Sequence, residues 1–372
     1  MKPLTAIGLM SGTSLDGIDA AVIATDGAHI LSTGASRTDT YPEPFRDRLR
    51  ALLGRAPAAA DAATIRDFTL LNARAVAALL AAAGLSPEAV DVIGFHGQTV
   101  LHRPEEGITL QVGDSALLAA ETGIDVISDF RAADVAAGGE GAPFAPLYHA
   151  ALARELDTPL AVLNVGGVAN VTWIGDRGDI LAFDTGPGNA LIDDWMGARG
   201  GRGMDADGAR AAAGRLDEAV LTALLNNPYF GRPPPKSLDR DDFADALATV
   251  DSLSLDDGAA TLTAFTARSA ALARAAMPAP PTRWLVCGGG RRNPTLMAML
   301  REALAAPVDA VEAMGWNGDA LEAQAFGFLA VRSLRSLPLS LPTTTGVERP
   351  CTGGVLHRSP ARANGADTSK PS

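Results

Sequence analysis

Three stretches of this 372-residue chain bring glycines, hydroxyls and amides to the ends of apolar runs. They are Ser11-Gly-Thr-Ser-Leu-Asp-Gly-Ile-Asp19, Phe183-Asp-Thr-Gly-Pro-Gly-Asn189 and Cys287-Gly-Gly-Gly-Arg-Arg-Asn-Pro294. Glycines let an anion approach the main chain closely, so such turns can aim N–H groups and hydroxyls at a phosphate. The second and third lead into helical patterns, and helix N-termini favour phosphate. Asp16 and Asp19 make sense beside such an anion with a cation or a proton to transfer. Asp184, after Leu181-Ala-Phe, is placed to take a proton from a nucleophile attacking a phosphoryl group. The plainer alternatives are an ordinary Gly-rich hairpin for the first stretch and a turn aspartate for Asp184. His96, in Phe95-His-Gly-Gln-Thr99, either meets a polar ligand or caps its strand. Glu322 falls in the first turns of a helix, where a solvated carboxylate is the default. None of the three turns matches a P-loop or a dinucleotide fingerprint.

These residues need strands to deliver them. Leu4–Leu9 and Ala20–Ala24 read as a hairpin turning at Asp16-Gly17, with a third strand at Ala28–Thr33. Glu43–Leu53 and Ala63–Ala83 read as helices, the second closing at Gly84. Val90–Phe95 is a buried strand expected to deliver His96–Thr99 as a polar loop. Val100–His102 and Ile108–Gln111 form a short pair, Asp114 caps a helix to Thr122, and Ile124–Ser128 is a strand. The same opening returns in weak form at Leu160–Gly167, Asn170–Ile174 and Ile180–Asn189. Helices are expected at Ala190–Met196, Leu216–Leu225, Ala259–Ala275, Thr295–Ala305 and Ala320–Arg335, with a strand at Trp284–Cys287 and a terminal strand within Val347–Leu356. Strands alternating with helices give an α/β class. The glycine-rich stretch Ala136–Pro143, with Gly138, Gly139 and Gly141, is the expected inter-domain crossing.

Composition excludes several classes. The net charge is −12 with no basic run, which argues against a nucleic-acid surface or an anionic membrane. No window of about 18 apolar residues exists to span a bilayer. Met1-Lys2-Pro3 leads straight into a strand and gives no signal peptide. Two cysteines, Cys287 and Cys351, make neither a disulfide framework nor a cysteine metal site, and five scattered histidines support no zinc site. A reducing cytoplasm fits best.

Gly8-Leu-Met-Ser-Gly-Thr-Ser-Leu-Asp-Gly-Ile-Asp19 closely resembles the signature of the anhydro-N-acetylmuramic acid kinases. The likeness continues, in the family's order, through Phe95–Thr99, Ser128–Arg131, Asn164–Asn170, Phe183–Asn189, Cys287–Pro294 and Asp319–Phe326. Leu15 stands where many relatives carry methionine, a volume-conserving difference. The resemblance implies two ribonuclease-H-like domains of the actin and hexokinase type flanking a nucleotide cleft. It divides the chain into 1–130 plus about 340–357, 131–339, and a disordered tail over 358–372. The implied reaction uses ATP and Mg2+. It hydrolyses the 1,6-anhydro ring of 1,6-anhydro-N-acetylmuramic acid and phosphorylates O6, in peptidoglycan recycling. Asp184 would activate the water. Gly12, Thr13, Ser14, Leu15, Asp16, Gly17, Ile18 and Asp19, with Gly166, Gly167 and Gly186, would hold the nucleotide, and Gly288, Gly289 and Gly290 would lie near its adenosine. His96, Thr99, Asp129, Arg131 and Glu322 would line the sugar pocket. The direct magnesium ligands stay open, and the family suggests a homodimer. The rivals are a nucleotide-switched module without catalysis and a kinase for another amino sugar.

Overall fold

The computed structural model describes residues 1–365 apart from Thr13, Arg202 and Asp241. Expectations for Thr13 and for the tail beyond residue 365 therefore lie outside the described residues. The chain forms two compact units, Met1–Arg154 with the stretch from Ala320 onward, and Glu155–Asp319.

In the first unit, β1 (Leu4–Ser11), β2 (Gly17–Thr25) and β3 (Ile30–Thr40) form an antiparallel meander. Helices Glu43–Arg50 and Ala62–Ala83 then carry the chain back, so β4 (Val92–Arg103) runs parallel to β1. A parallel pair needs such a crossover. β5 (Ile108–Val112) is the hairpin partner of β4, and β6 (Val126–Ser128) runs parallel to β4 on its far side. In the second unit β7 (Leu160–Val165), β8 (Val168–Ile174) and β9 (Ile180–Pro187) repeat the meander. β10 (Arg283–Cys287) and β11 (Val308–Ala310) follow in parallel beside β7. β12 (Val355–His357) closes the first sheet antiparallel to β6. Meander third strand outermost, then second, first, fourth and fifth is the ribonuclease-H-like order, and both units carry it. The weak internal repeat of the sequence is this duplication.

Alternation sets the faces of the first sheet. Ile7 and Leu9 on β1, with Ile93 and Phe95 beside them on β4, bury one face against Phe68, Val76 and Leu79 of the helix Ala62–Ala83. The intervening Gly8 and Gly94 are paired neighbours on the other face, which lies under the helix Leu321–Leu334. A Cβ at Gly8 would stand 1.6 Å from the Ala323 carbonyl oxygen, and one at Gly94 would stand 2.1 Å from that of Phe326. Backbone rests directly on backbone there. In the second unit Leu163, Val165, Trp284 and Val286 bury one face against Leu296 and Leu300 of the helix Pro294–Leu304.

Four expectations change. The hairpin does not turn at Asp16-Gly17. Gly17 opens β2, and the left-handed residue is Leu15 at φ 57°, buried to 1 %. A Cβ on Gly17 would stand 2.4 Å from the Asp39 carbonyl oxygen, so that glycine serves strand approach rather than a turn. His96–Thr99 is not a loop, because β4 continues through it to Arg103. The glycine-rich stretch is not the crossing. Asp134 accepts from the Gly141 N–H at 2.7 Å, from Thr345 Oγ1 at 2.6 Å and from Ser340, closing the stretch within the first unit. Residues 131–154 and 320–339 also belong there, since Tyr148 donates to Gln324 Oε1 at 2.7 Å and its ring meets Phe328 at 5.7 Å. Finally, the chain after 357 is ordered to residue 365, with a helix at Pro360–Gly365. Its small polar composition suggested otherwise. Buried Asp125, however, accepts from the Arg358 guanidinium and the Ser359 N–H, each at 2.9 Å, and Arg362 donates to the Asp91 carbonyl at 2.7 Å.

Candidate active site

The first unit places two groups of the expected residues. One is the segment between β1 and β2. Ser11 ends β1 buried, donates to Gln98 Oε1 at 2.6 Å, and shares a 2.7 Å bond with the Tyr41 hydroxyl. Burial, with the Asp19 carboxylate adding to it, pushes the Tyr41 phenol up, so it stays protonated. The Leu15 N–H bonds the Gly12 carbonyl at 3.1 Å, and the Tyr41 N–H bonds the Asp16 carbonyl at 3.1 Å. Buried Leu15 and Ile18 anchor the segment from below while Ser14 and Asp16 stay exposed. Arg46 pairs with Asp16 at 3.1 Å, and Asp19 accepts from Thr38 Oγ1 at 2.5 Å. Tyr41, Gln98 and Arg46 were not singled out in the sequence, because partners 30 to 87 residues away leave no local signal.

The second group gathers on β4 and the helix Leu321–Leu334. Between the pairs Leu9–Phe95 and Ser11–Gln98 strand β4 holds one extra residue, a bulge with Gly97 at φ 74°. Bulges re-aim side chains. Here buried His96 lies against the Phe326 ring at 4.6 Å between centroids, donates from Nδ1 to the Gly97 carbonyl at 2.8 Å, and accepts from Arg131 Nε at 3.1 Å. Arg131 also donates to the Gly141 carbonyl at 2.6 Å. Glu322 sits one turn before Phe326 on the same helix and is exposed. Thr99 accepts from Gln111 Nε2 at 3.2 Å on the β4–β5 hairpin. Asp129 is exposed at φ 54°, two residues before Arg131.

His96 is held neutral, since burial, and then the Arg131 charge, push its pKa well down against the Gly97 bond. Burial lowers His149 to about 4. Both groups are proton-poor in the folded state, so the unfolded chain binds protons first as pH falls. Stability is therefore full above about 6.5 and declines between there and 4, by up to about 3 kcal/mol for His149. His149→Gln should flatten the fall in Tm between pH 7.5 and 5. An identical slope in the variant would rule the residue out as the source.

The second unit places the rest. Asp184 lies on β9, opposite Asn170 of β8, with 7 % of its surface exposed. Its Oδ2 accepts from the Leu238 N–H at 2.8 Å, its N–H donates to the Lys236 carbonyl at 3.0 Å, and its own carbonyl accepts from the Tyr229 hydroxyl at 2.6 Å. A desolvated carboxylate fixed in this way suits proton abstraction. Gly166 and Gly167 make the turn from β7 to β8, and their carbonyls accept from Gly188, Asn189 and Ala190, seating the helix Ala190–Trp195. After β10, Gly288 at φ 73° would put a Cβ 2.3 Å from Asn164 Oδ1, and Gly290 would put one 2.6 Å from Val165. Arg291 closes this loop by donating to the Gly288 carbonyl at 2.9 Å, to Glu312 at 2.8 Å and to Asp319 at 2.7 Å. Burial pushes the Asp319 carboxyl up, but Arg291 and Arg292 bring it below the usual carboxylate range.

Open main chain separates the glycines further. Gly17, Gly186, Gly288 and Gly290 are explained by protein atoms a Cβ would strike. At Gly12, Gly166, Gly167 and Gly289 a Cβ would meet nothing among the described residues nearer than 3.6 Å, and no left-handed φ demands glycine. Gly12 in the first unit, and Gly166, Gly167 and Gly289 in the second, each leave main chain uncovered by a neighbouring side chain.

The model of the anhydro-N-acetylmuramic acid kinase family matches residues 4–359. The chain belongs to that family. Among its relatives, the anhydro-N-acetylmuramic acid kinase of Rhodospirillum rubrum is 59 % identical over 355 residues, covering 94 % of this chain and 93 % of that protein. That of Acidiphilium cryptum is 57 % identical, covering 95 % and 98 %. That of Paramagnetospirillum magneticum is 56 % identical, covering 95 % and 99 %. Among the described residues no helix is long and apolar enough to cross a membrane.

Proposed function

We propose that this chain is an ATP-dependent kinase that opens 1,6-anhydro-N-acetylmuramic acid with water and phosphorylates O6. The products are N-acetylmuramate 6-phosphate and ADP, and the setting is recycling of cell-wall peptidoglycan. The observation that carries the reading is the family match across residues 4–359, with relatives of that name more than half identical over nearly the whole chain.

The chemistry divides among the chain's own groups. Asp184 takes a proton from water, and the water oxygen bonds to the anomeric carbon as its bond to O6 breaks. O6 then takes the γ-phosphoryl group of ATP, ADP leaves, and the proton on Asp184 passes to solvent. Burial and the Leu238 N–H keep Asp184 oriented for the first transfer. The bare backbone at Gly12, Gly166, Gly167 and Gly289, with Ser14, is assigned to the nucleotide phosphates. His96, Thr99, Asp129, Arg131 and Glu322 are assigned to the sugar and its lactyl carboxylate, for which Arg131 supplies a planar cation.

Among the described residues no group of three or more His, Cys, Asp or Glu side chains could hold a metal by itself. Magnesium is usually bound through one or two carboxylates with phosphates and waters completing its shell. Asp16 and Asp19 are the carboxylates that would hold it, and when bound it would neutralise charge on the β- and γ-phosphates. A cytoplasmic setting and a homodimer rest on the family resemblance, and sedimentation of the full chain tests the second.

Mass spectrometry of the product is the decisive experiment. The expected mass is substrate plus one phosphoryl group plus one water, formed only with ATP and magnesium. A phosphorylated product that keeps its anhydro bridge would overturn the coupled mechanism. Equal turnover of glucose or N-acetylglucosamine would overturn the substrate.

A further inference from the structure

Lys236 is buried at the end of Pro233-Pro-Pro-Lys, and no step above uses it. Its ammonium donates to the Tyr229 carbonyl at 3.0 Å. It also lies 4.4 Å from the Tyr229 ring centroid and 5.8 Å from that of Phe183, one residue before Asp184. Removing an ammonium from water costs several kcal/mol unless close partners offset it, and ring faces attract cations more strongly when desolvated. Burial, then the nearby Arg232, push the Lys236 pKa down, while the Asp184 charge pulls it back.

What the loop does is hold Asp184. All three bonds described on that residue come from it, through the Tyr229 hydroxyl, the Lys236 carbonyl and the Leu238 N–H. The run Pro233–Pro235 has no N–H to donate to a neighbouring strand. The Lys236 side chain ties the loop to itself by donating back to the Tyr229 carbonyl.

We propose that Lys236 is a positioning residue for Asp184. Its ammonium, clamped by the Tyr229 carbonyl and the Tyr229 and Phe183 rings, fixes loop 229–238 in the register that aims the Asp184 carboxylate. This rests on the reading of Asp184 as the base toward water.

The test uses the full chain with ATP and the anhydro sugar, comparing wild type, Lys236→Met and Lys236→Arg. Methionine keeps the length and apolar stem without the charge. Misplacement of a catalytic group by about 1 Å can cost about 10²-fold, and that fall in kcat is expected for K236M with sugar KM and nucleotide Kd nearly unchanged. Arginine keeps a cation that stacks on rings, so K236R should recover at least about tenfold of the loss. Turnover of K236M within a few-fold of wild type, a rise in KM without a fall in kcat, or K236R no better than K236M would each overturn the proposal. Lys236→Gln covers the case in which K236M does not fold. It keeps a donor for the Tyr229 carbonyl but removes the cation over the rings, so a fall in kcat with KM nearly unchanged is expected, and normal kcat overturns the proposal. A wild type that turns over a different sugar sinks the substrate reading and leaves this test intact with that sugar.

Discussion

Asp184→Asn is expected to abolish most turnover while leaving nucleotide binding nearly intact. Asparagine matches aspartate in size, and at a buried position on β9 that matters. One oxygen of Asp184 accepts from the Leu238 N–H at 2.8 Å. The asparagine carbonyl oxygen can take over that bond, and its NH2 then stands where the second carboxylate oxygen was. A donor would replace an acceptor at the atom that must receive the water's proton. Loss of a general base costs typically about 10²–10⁴-fold. Here more is expected, since ring opening and phosphoryl transfer share the one water. ATP affinity should hold or rise slightly, because a carboxylate near phosphates repels them. Measuring kcat and nucleotide Kd on the same folded variant separates the cases. Were Asp184 a turn residue only, asparagine would serve almost as well, and near-normal turnover would remove it from the mechanism.

How far the site could be read in the sequence depended on whether each residue's partner is local. Asp184 and the open glycines at 12, 166, 167 and 289 sit at ends of apolar runs, a signal a few residues wide. The meander repeat was legible for the same reason, since each strand pairs with the next. Gly17 was misread because Asp-Gly between apolar runs is a strong turn signal. The strand-to-strand contact with Asp39 that needs that glycine is a tertiary fact. Gly138, Gly139 and Gly141 looked like a crossing because glycine runs mark breaks, yet buried Asp134 ties them to Ser340 and Thr345, some two hundred residues on. Lys236 was invisible for a related reason. A lone lysine after three prolines reads as a solvated tip, and only the folded loop turns its ammonium onto two aromatic rings.

The two glycines at either end of the Gly8–Gly12 segment should fail in opposite ways when changed to alanine. At Gly8 the new Cβ would stand 1.6 Å from the Ala323 carbonyl oxygen and 2.5 Å from the Gly327 nitrogen, both main-chain atoms of the helix Leu321–Leu334. Neither side can yield by a rotamer change, because β1 is held between β2 and β4. Overpacking typically costs about 1–3 kcal/mol, and a clash with backbone on both sides belongs above that range. A fall in Tm of roughly 6 °C or more follows at about 2–4 °C per kcal/mol. Because the displaced helix carries Phe326 against His96, with Glu322 one turn earlier, whatever folds should also show a raised sugar KM. At Gly12 the nearest atom to a new Cβ is Ser14 Oγ at 3.7 Å, so Gly12→Ala should leave Tm unchanged. Its Cβ would instead occupy the space assigned to a phosphate, and losing one charge-assisted hydrogen bond of about 1.5 kcal/mol weakens nucleotide binding about tenfold. Melting curves and nucleotide titrations on the pair read both effects. A G8A variant that melts with wild type would refute the helix-on-strand contact, and a G12A variant that binds nucleotide normally would take Gly12 out of the phosphate site. The contrast matters because composition alone cannot tell these two glycines apart: three residues separate a glycine required by a helix from one assigned to a ligand.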